Sequence, residues 1–482
     1  MVAATAAALA GRQASATLSQ ALKPGDLLAL ILIGQGGEGR SFLYTHRGSP
    51  VAGNVTPAQV QAATWQEQIA ALDTADASVR PLSHAMSASG EHIAVGLVRV
   101  THNRSDTTGL VRVLDQAGEL LWEQSYDGRV FFVRFAPDGR SLYVAANLGD
   151  DGLGPSSELY TNAHIIKYTL AGGEQWRHKV GSGTGLPAER QGRTVFDLQV
   201  APNGDLFYAE WNALGVRLDG ATGRVIWSAD TAGGTPTYAQ RVVPLADGGA
   251  VLLGFYSRCV DAAGQPRSSV LMNREGVYAA SAVNCDRWAL AGNTVRVIDR
   301  RAGALRIDNP GAASYAGDGT YVGRYPRALA FSPDGDYLAT GTTDGQFTLM
   351  NRDGRVLWQR KDASSYITQV AFLPDGDGIA LAREVFDYQH DNPVLGHGWR
   401  YRDSVEAYDL QGRPLWRHEG PWRDAGPFMT QFALSGDGKQ LSVLSGAELR
   451  LVDLARAPVP NSYLYPVEAI PARVVFLPLI GR

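Results

Sequence analysis

The chain has 482 residues, 45% hydrophobic and 19% charged, an ordinary globular composition that excludes disordered, collagenous and disulfide-dense classes. Lys and Arg number 44 against 48 Asp and Glu, for a formal charge of −4, which excludes the global basic signal of a nucleic-acid binder. The 55 glycines exceed the usual share and point to many tight turns, hence many short strands.

The leader is Ala-rich, and Ala14-Ser15-Ala16 resembles a small-residue cleavage site, yet no Lys or Arg precedes its apolar stretch as in a signal peptide. Two β-runs come next, Leu27–Ile33 and Ser41–His46. Thr56-Pro57 with Gln59 then reads as a helix start: Thr as N-cap, Pro in the first turn, Gln at the capping-box position. Ala58, Ala62, Trp65, Ile69 and Leu72 continue it as one apolar stripe at helical spacing. Residues 1–79 are therefore expected to form a separate piece, with strands and one amphipathic helix packed on the repeat region that begins at residue 80. No run approaches the ~18 apolar residues of a membrane helix.

From residue 80 a repeat takes over. An apolar strand, a Pro-Asp-Gly type turn and a second apolar strand recur as FVRFAPDGRSLYVAA (132–146), LQVAPNGDLFYAE (198–210), LAFSPDGDYLATG (329–341) and VAFLPDGDGIALA (370–382). Looser copies lie at 83–96, 242–254 and 432–445. Proline pre-sets its own φ, Asp caps the turn and Gly supplies the positive φ that closes the hairpin. A second unit, strand–Gly turn–strand ending in Trp, comes after several copies and places Trp122, Trp176, Trp227, Trp358 and Trp416 at one repeat position. Together the two units make a four-stranded antiparallel meander. The gap between Gly248 and Gly335 is about twice the others, so 279–308 is expected to hold a degenerate unit. That gives an all-β fold, a β-propeller over 80–455 with eight four-stranded blades, or seven if 279–308 only elaborates its neighbour. Counting back from each turn Gly, positions minus 6 and minus 4 are large and apolar, as in Val133 and Phe135. Position minus 5 is often small, as in Ala85, Ala330, Ala371 and Ala433, which suits face-to-face stacking of blades. One of the two early β-runs is expected to join the last blade and lock the ring. The repeated tryptophans read as inter-blade packing. Residues 456–482, with Pro458, Pro460, Pro466, Pro471 and Pro478, read as an extended tail.

The D-x-x-G-x-x-x-W strand ends resemble the repeats of the pyrroloquinoline-quinone-like (quinoprotein-like) β-propeller superfamily, and the Ser-Pro-Asp-Gly hairpins resemble the broader WD40-like class. The resemblance covers about 80–455 and implies a fold, because propellers carry many unrelated functions. A quinoprotein would bring pyrroloquinoline quinone with Ca²⁺, ordinarily beside an adjacent Cys-Cys pair, which Cys259 and Cys285 do not form. Those two cysteines allow one bridge closing a short loop, or two buried free thiols. The tail Arg473–Arg482 resembles a short ending of exported proteins in filamentous green bacteria, and the expected location is extracytoplasmic or secreted.

In an up-and-down meander the connection between strands two and three, the connection between blades and the start of each inner strand share one face. Two connections there are enlarged, Asn147–Ala163 and Glu384–Ser404, and both are expected to be long loops. The second gathers Tyr388, His390, His397, Trp399, Arg400 and Tyr401, the candidate ligand-binding residues, since aromatics with Arg favour recognition. The alternative is an ordered cap over the channel mouth. Seven residues before their turn glycines, Asp197, Arg241, Gln369 and Gln431 face the channel mouth, where they either converge on a ligand or satisfy one another and channel water. Asp150-Asp151 and Asp387/Asp391 could hold Ca²⁺ in a loop, but no EF-hand, zinc, nucleophile-elbow or phosphate-loop pattern is present. No catalytic residue, metal ligand or cofactor is therefore expected. The expected function is non-catalytic binding of a protein, peptide or glycan on the loop-rich face, with no nucleic-acid partner. The alternatives are a quinoprotein-type dehydrogenase or other channel-centred enzyme, and an envelope scaffold.

Overall fold

The computed structural model describes residue 63 and residues 65–102, 107–149, 162–231, 240–254, 256–271, 279–291, 295–299, 303–307, 326–352, 354–362, 364–392, 396–423, 430–446 and 448–454, together with short strand pairs elsewhere. The chain divides into two compact units, one of 57–463 and one of 1–56 with 464–482. In the second of these, Ala4–Ala6 pairs with Ala16–Leu18, and Leu27–Ile33 pairs with Gly39–Thr45.

The larger unit is a ring of eight four-stranded antiparallel blades. Blades 1 to 7 occupy 77–127, 130–179, 195–230, 241–271, 279–307, 326–361 and 365–419, and blade 8 occupies 431–453 plus 65–68. Strands a to d run in chain order from the inner strand outward, except that strand d of blade 8 is Trp65–Gln68. The degenerate segment is a full blade 5, so the count is eight. The turn chemistry works as its residues dictate. Gly139 takes φ +65°, and the Asp138, Asp334 and Asp375 carboxylates accept the backbone N–H two residues on, at 2.9, 3.0 and 3.0 Å.

Each inner strand touches the next one round to closure between blades 8 and 1. An apolar cluster fills every seam, from Val133, Val144 and Val111 between blades 1 and 2 to Ile93, Leu97 and Leu449 between blades 8 and 1. Blades are therefore buried on both faces, and none stands alone. The tryptophans act at the rim of these seams. The strand-d indoles of blades 2, 3 and 6 pack on the glycine of the next blade's outer turn, where a Cβ would collide with them: Trp176 on Gly223 (2.6 Å), Trp227 on Gly264 (2.7 Å) and Trp358 on Gly412 (3.0 Å). Blade 4 carries no such Trp. Its seam with blade 5 instead contains the Cys259–Cys285 bridge, with Cα atoms 5.4 Å apart.

Three expectations fail here. The helix predicted from Thr56 through Leu72 lies partly outside the described residues, and its described part is the strand Trp65–Gln68 followed by a single 3-10 turn at Ile69–Leu72. The ring lock is this strand. Leu27–Ile33 and the second β-run pair with each other instead. Trp65 explains the choice: it occupies the strand-d Trp position of blade 8, packs on Gly118 of blade 1 and donates its Nε1–H to the Gln116 carbonyl at 2.8 Å. The connection expected as a loop at Glu384–Ser404 is strand, with strand b running Gly378–Asn392 and strand c Gly396–Asp409. Most of the 147–163 connection and the tail beyond 454 lie outside the described residues.

Candidate functional site

The two candidate regions lie at the channel and on blade 7. In the channel, the minus 7 residues first serve the ring. The Ser83 hydroxyl, the Asp197 carboxylate and the Gln369 amide oxygen accept the backbone N–H of Val133, Val242 and Phe432 at 3.3, 3.1 and 2.9 Å. Each acceptor reaches the inner strand of the following blade. The Gln369 amide also donates to the Phe432 carbonyl at 3.0 Å, and Arg241 reaches back to the Phe196 carbonyl at 3.1 Å. Polar residues recur at minus 7 because neighbouring inner strands, splayed around a ring, leave backbone groups that need partners. Two cavities occupy the channel. One of about 400 Å³ touches Ser83, Phe132, Arg134, Asp197, Gln199, Arg241 and Gln431. The other, of about 630 Å³, shares Arg134, Gln199 and Gln431 and adds Gln369. Asp197 is the sole carboxylate among these lining residues. It already accepts from Val242 and from the Gln199 amide, at 2.9 Å, and it stands beside two guanidinium groups. That donor set does not fit Ca²⁺ with a quinone, since a hard cation needs several oxygen ligands.

On blade 7, strand a pairs with strand b only up to Val385, and strand d with strand c only from Ser404. Beyond these limits strands b and c continue as a two-stranded ribbon with Phe386 opposite Tyr401, Asp387 opposite Arg400, Tyr388 opposite Trp399 and Gln389 opposite Gly398. Directly opposed residues share a face. The register therefore puts positions 386, 388, 399 and 401, all aromatic, on one face and 387 and 400 on the other. Of the six residues that the sequence groups into one surface, the side chains of Tyr388, His390, His397 and Trp399 lie outside the described residues, and those of Arg400 and Tyr401 are described. His390 lies near the end of strand b and His397 near the start of strand c.

The base of the ribbon is held firmly. Arg400 donates both Nε–H and Nη2–H to Asp387, at 3.0 and 2.6 Å, and its guanidinium stacks on Trp422 at 4.4 Å. Arg402 covers the same indole at 4.8 Å and pairs with Glu419 at 2.9 Å. Trp422 remains 36% exposed. It lies in the connection from blade 7 to blade 8, which exchanges two backbone hydrogen bonds between Tyr401 and Arg423, at 2.8 and 2.7 Å. Beneath, the seam is charged. Buried Arg450 pairs with buried Asp403 at 2.5 Å and contacts the His418 Nε2 at 3.1 Å, while Arg423 joins Asp403 and Glu448 at 3.4 and 2.5 Å. Arg383 reaches Glu406 at 3.3 Å. Buried Glu384 accepts from the Tyr366 hydroxyl at 2.5 Å and from the Thr430 N–H at 2.9 Å, yet burial pushes its carboxyl up to about 7.

Sequence reasoning missed Trp65, Trp422 and Arg134. Two of the three carry a signal. The Trp-Gln-Glu-Gln at 65–68 resembles the Trp122-Glu123-Gln124 within strand d of blade 1. Arg134 occupies a minus 5 slot that is Ala in four other blades. Trp422 sits in a connection with no repeat to place it.

Among solved structures the chain is similar to Sqt1 of Chaetomium thermophilum bound to the N-terminus of the ribosomal protein L10, at 14% identity over 78% of this chain and 96% of that chain, with a TM-score of 0.54. It is also similar to the C-terminal WD40 domain of Sif2, at 10% identity, 83% and 99% coverage and a TM-score of 0.50. The Dos1 propeller matches at 13% identity, 82% and 95% coverage and a TM-score of 0.50. Identities this low show a common propeller fold. The family model for the outer membrane protein assembly factor BamB matches residues 58–237 and 107–365, windows that overlap and together span most of the ring. The chain therefore belongs to the BamB family of PQQ-like β-propellers.

Proposed function

We propose that this propeller is a non-catalytic scaffold that binds an extended segment of a protein partner on the face bearing the blade 7 ribbon. The observation that carries this reading is the ribbon itself. Beyond Phe386 on one side and before Tyr401 on the other, no described strand pairs with its edges. From Asp387 to Asn392 strand b runs about 20 Å, and from Gly396 to Arg400 strand c runs about 17 Å, at ~3.3 Å per residue, with no described strand beside either. An unpaired edge is a template for strand addition, and the aromatic face beside it adds side-chain specificity. The ion pairs at the ribbon's base hold it before a partner arrives, which lowers the ordering cost of binding. The BamB family description, an assembly factor, and Sqt1 holding a protein N-terminus both fit a scaffold that captures chain segments. An extracytoplasmic site of action fits the Cys259–Cys285 bridge, because disulfides persist in oxidising compartments.

The test is the combined replacement of His397, Trp399 and Tyr401 by Ala. Partner peptides selected on the intact protein should bind the variant at least ~10-fold more weakly, with the melting temperature nearly unchanged. A large loss of melting temperature with binding retained would assign the ribbon to a structural cap.

A further inference from the structure

Five of the eight seams are fastened at the rim by the same contact. Trp65, Trp122, Trp176, Trp227 and Trp358 each lie against the turn glycine of the following blade, 2.6–3.3 Å from where its Cβ would stand. The seam between blades 7 and 8 is fastened by charge instead, with Arg450 on Asp403 at 2.5 Å. The two seams that remain are both those of blade 5. Strand d of blade 4, Pro266–Leu271, and strand d of blade 5, Gly303–Ile307, contain no aromatic residue.

Blade 5 is held by other means on each side. Toward blade 6, the Arg287 guanidinium donates to the Arg352 carbonyl at 2.7 Å and lies over the Phe331 ring at 5.4 Å. The Ser281 hydroxyl accepts the Phe331 N–H at 3.0 Å. Toward blade 4, the buried Trp288 donates its Nε1–H to the Ser257 hydroxyl at 2.9 Å. Beside it, the Cys259–Cys285 bridge ties strand c of blade 4 to the turn between strands a and b of blade 5. The chain has two cysteines, so no other seam is cross-linked. Cys259 is fully buried and Cys285 is 8% exposed, so a reductant reaches the sulfurs only when the seam parts. In a ring of stacked repeats each blade is stabilised by its two neighbour interfaces, so loss of the bridge falls on blade 5 first.

We propose that blade 5 is a redox-gated wall of the channel, fixed while the Cys259–Cys285 bridge is closed and opening as one local unit, residues 279–307, once a dithiol reduces that bridge. The step is thiol–disulfide exchange. A thiolate of the dithiol attacks one bridge sulfur, the protein S–S bond breaks, and a mixed disulfide forms with the other cysteine as leaving thiolate. The second thiol of the reductant then displaces the first cysteine. Two electrons and two protons pass to the protein, which gains two thiols, and the dithiol leaves as its own disulfide. The inner strand of blade 5 contributes Ala279 and Ala280 to the channel cavity of about 400 Å³, so release of the blade opens that cavity sideways. The ribbon stands two seams away on blade 7, and its contacts are untouched.

The experiment uses the purified full chain, dithiothreitol as the dithiol, and hydrogen exchange read by mass spectrometry before and after reduction. Segments within 279–299 should exchange at least ~10-fold faster in the reduced protein, while 93–114 of blade 1 and 130–147 of blade 2 keep their oxidised rates. The double variant Cys259→Ala, Cys285→Ala should show the same pattern without reductant; if it fails to fold, the reduced wild type decides. Arg287→Met removes the tie to blade 6 and should speed reduction of the bridge in the folded protein about 10-fold. Four results would each overturn the proposal: a bridge that dithiothreitol leaves closed in the folded chain, faster exchange spread over all blades or unfolding of the whole reduced protein, exchange in blade 5 unaltered by reduction, and a reduction rate unchanged by Arg287→Met.

Discussion

Replacing Trp65 by Ala is the sharpest test of how the ring closes. The indole is half-buried at the seam between blades 8 and 1, packs on Gly118 and donates to the Gln116 carbonyl at 2.8 Å. A fully buried Trp→Ala change costs ~3–5 kcal/mol, and half burial scales that to roughly 2. The lost hydrogen bond adds about 1 kcal/mol, for a total near 3 kcal/mol. Trp65→Phe keeps a ring on Gly118 and should lose only about 1 kcal/mol. The assay is the urea midpoint with hydrogen exchange. The variant should open the closing seam, so that strand Glu448–Asp453, which pairs with Trp65–Gln68, exchanges faster while blades 3 to 5 are unaffected. A midpoint within about 0.5 kcal/mol of wild type, or faster exchange spread evenly over all blades, would refute closure by this strand.

Other seams respond in their own ways. Gly264→Ala places a Cβ 2.7 Å from Trp227 at φ +77°, so the urea midpoint should fall by about 2–3 kcal/mol of stability. Glu384 and Glu210 are both pushed up to about 7 by burial, and an acid whose folded pKa is raised binds more protons when folded. Their contribution is full below about pH 4.5 and is lost as pH rises through 7, so melting temperature should drop from pH 5 to pH 8. Glu384→Gln should flatten that drop. The Cys259–Cys285 bridge spans 26 residues of sequence, and reducing it should cost about 3 kcal/mol. Thiol titration of the denatured, unreduced chain should find no free thiol, and two would refute the bridge.

The ring is legible in the sequence because its grammar repeats. Pro-Asp-Gly turns, alternating apolar strands and a Trp at a fixed offset sit within one blade, and local rules decide them. Blade 5 is legible only as a gap, since it lacks both the turn Gly and the Trp. The Trp65 strand reads as a helix because Ala58 through Leu72 has helical spacing, and the partner that makes it a strand lies nearly 400 residues away. Tertiary pairing overrides local propensity in such a segment. The ribbon reads as a loop for a different reason: its length suggests one, although Phe386-Asp-Tyr-Gln-His390 already alternates with the period of a strand. The charged seam beneath it is not legible at all. Arg450 finds Asp403, and Arg423 finds Glu448, only when blades 7 and 8 are brought together.

The minus 7 residues show how a recurring polar position divides between architecture and site. Ser83, Asp197 and Gln369 spend their acceptors on the next blade's backbone. Two residues on, the minus 5 slot is Ala in four blades and Arg134, Gln199 and Val243 in three others. Arg134 stands in a slot where Ala85, Ala330, Ala371 and Ala433 allow blades to stack, and it lines both channel cavities. Arg134 there ties three inner strands together, donating to the Leu198 carbonyl and the Ser83 hydroxyl at 3.1 and 3.2 Å.

The account of function depends most directly on the ribbon. Residues 388–399 can be excised and Asp387 joined to Arg400 by an Asn-Gly turn, which leaves the Asp387–Arg400–Trp422 contacts and the charged seam in place. The affinity of segments selected on the intact protein is then measured on the shortened one. The account predicts binding weakened by at least ~10-fold at an unchanged melting temperature; binding undiminished by the excision would contradict it.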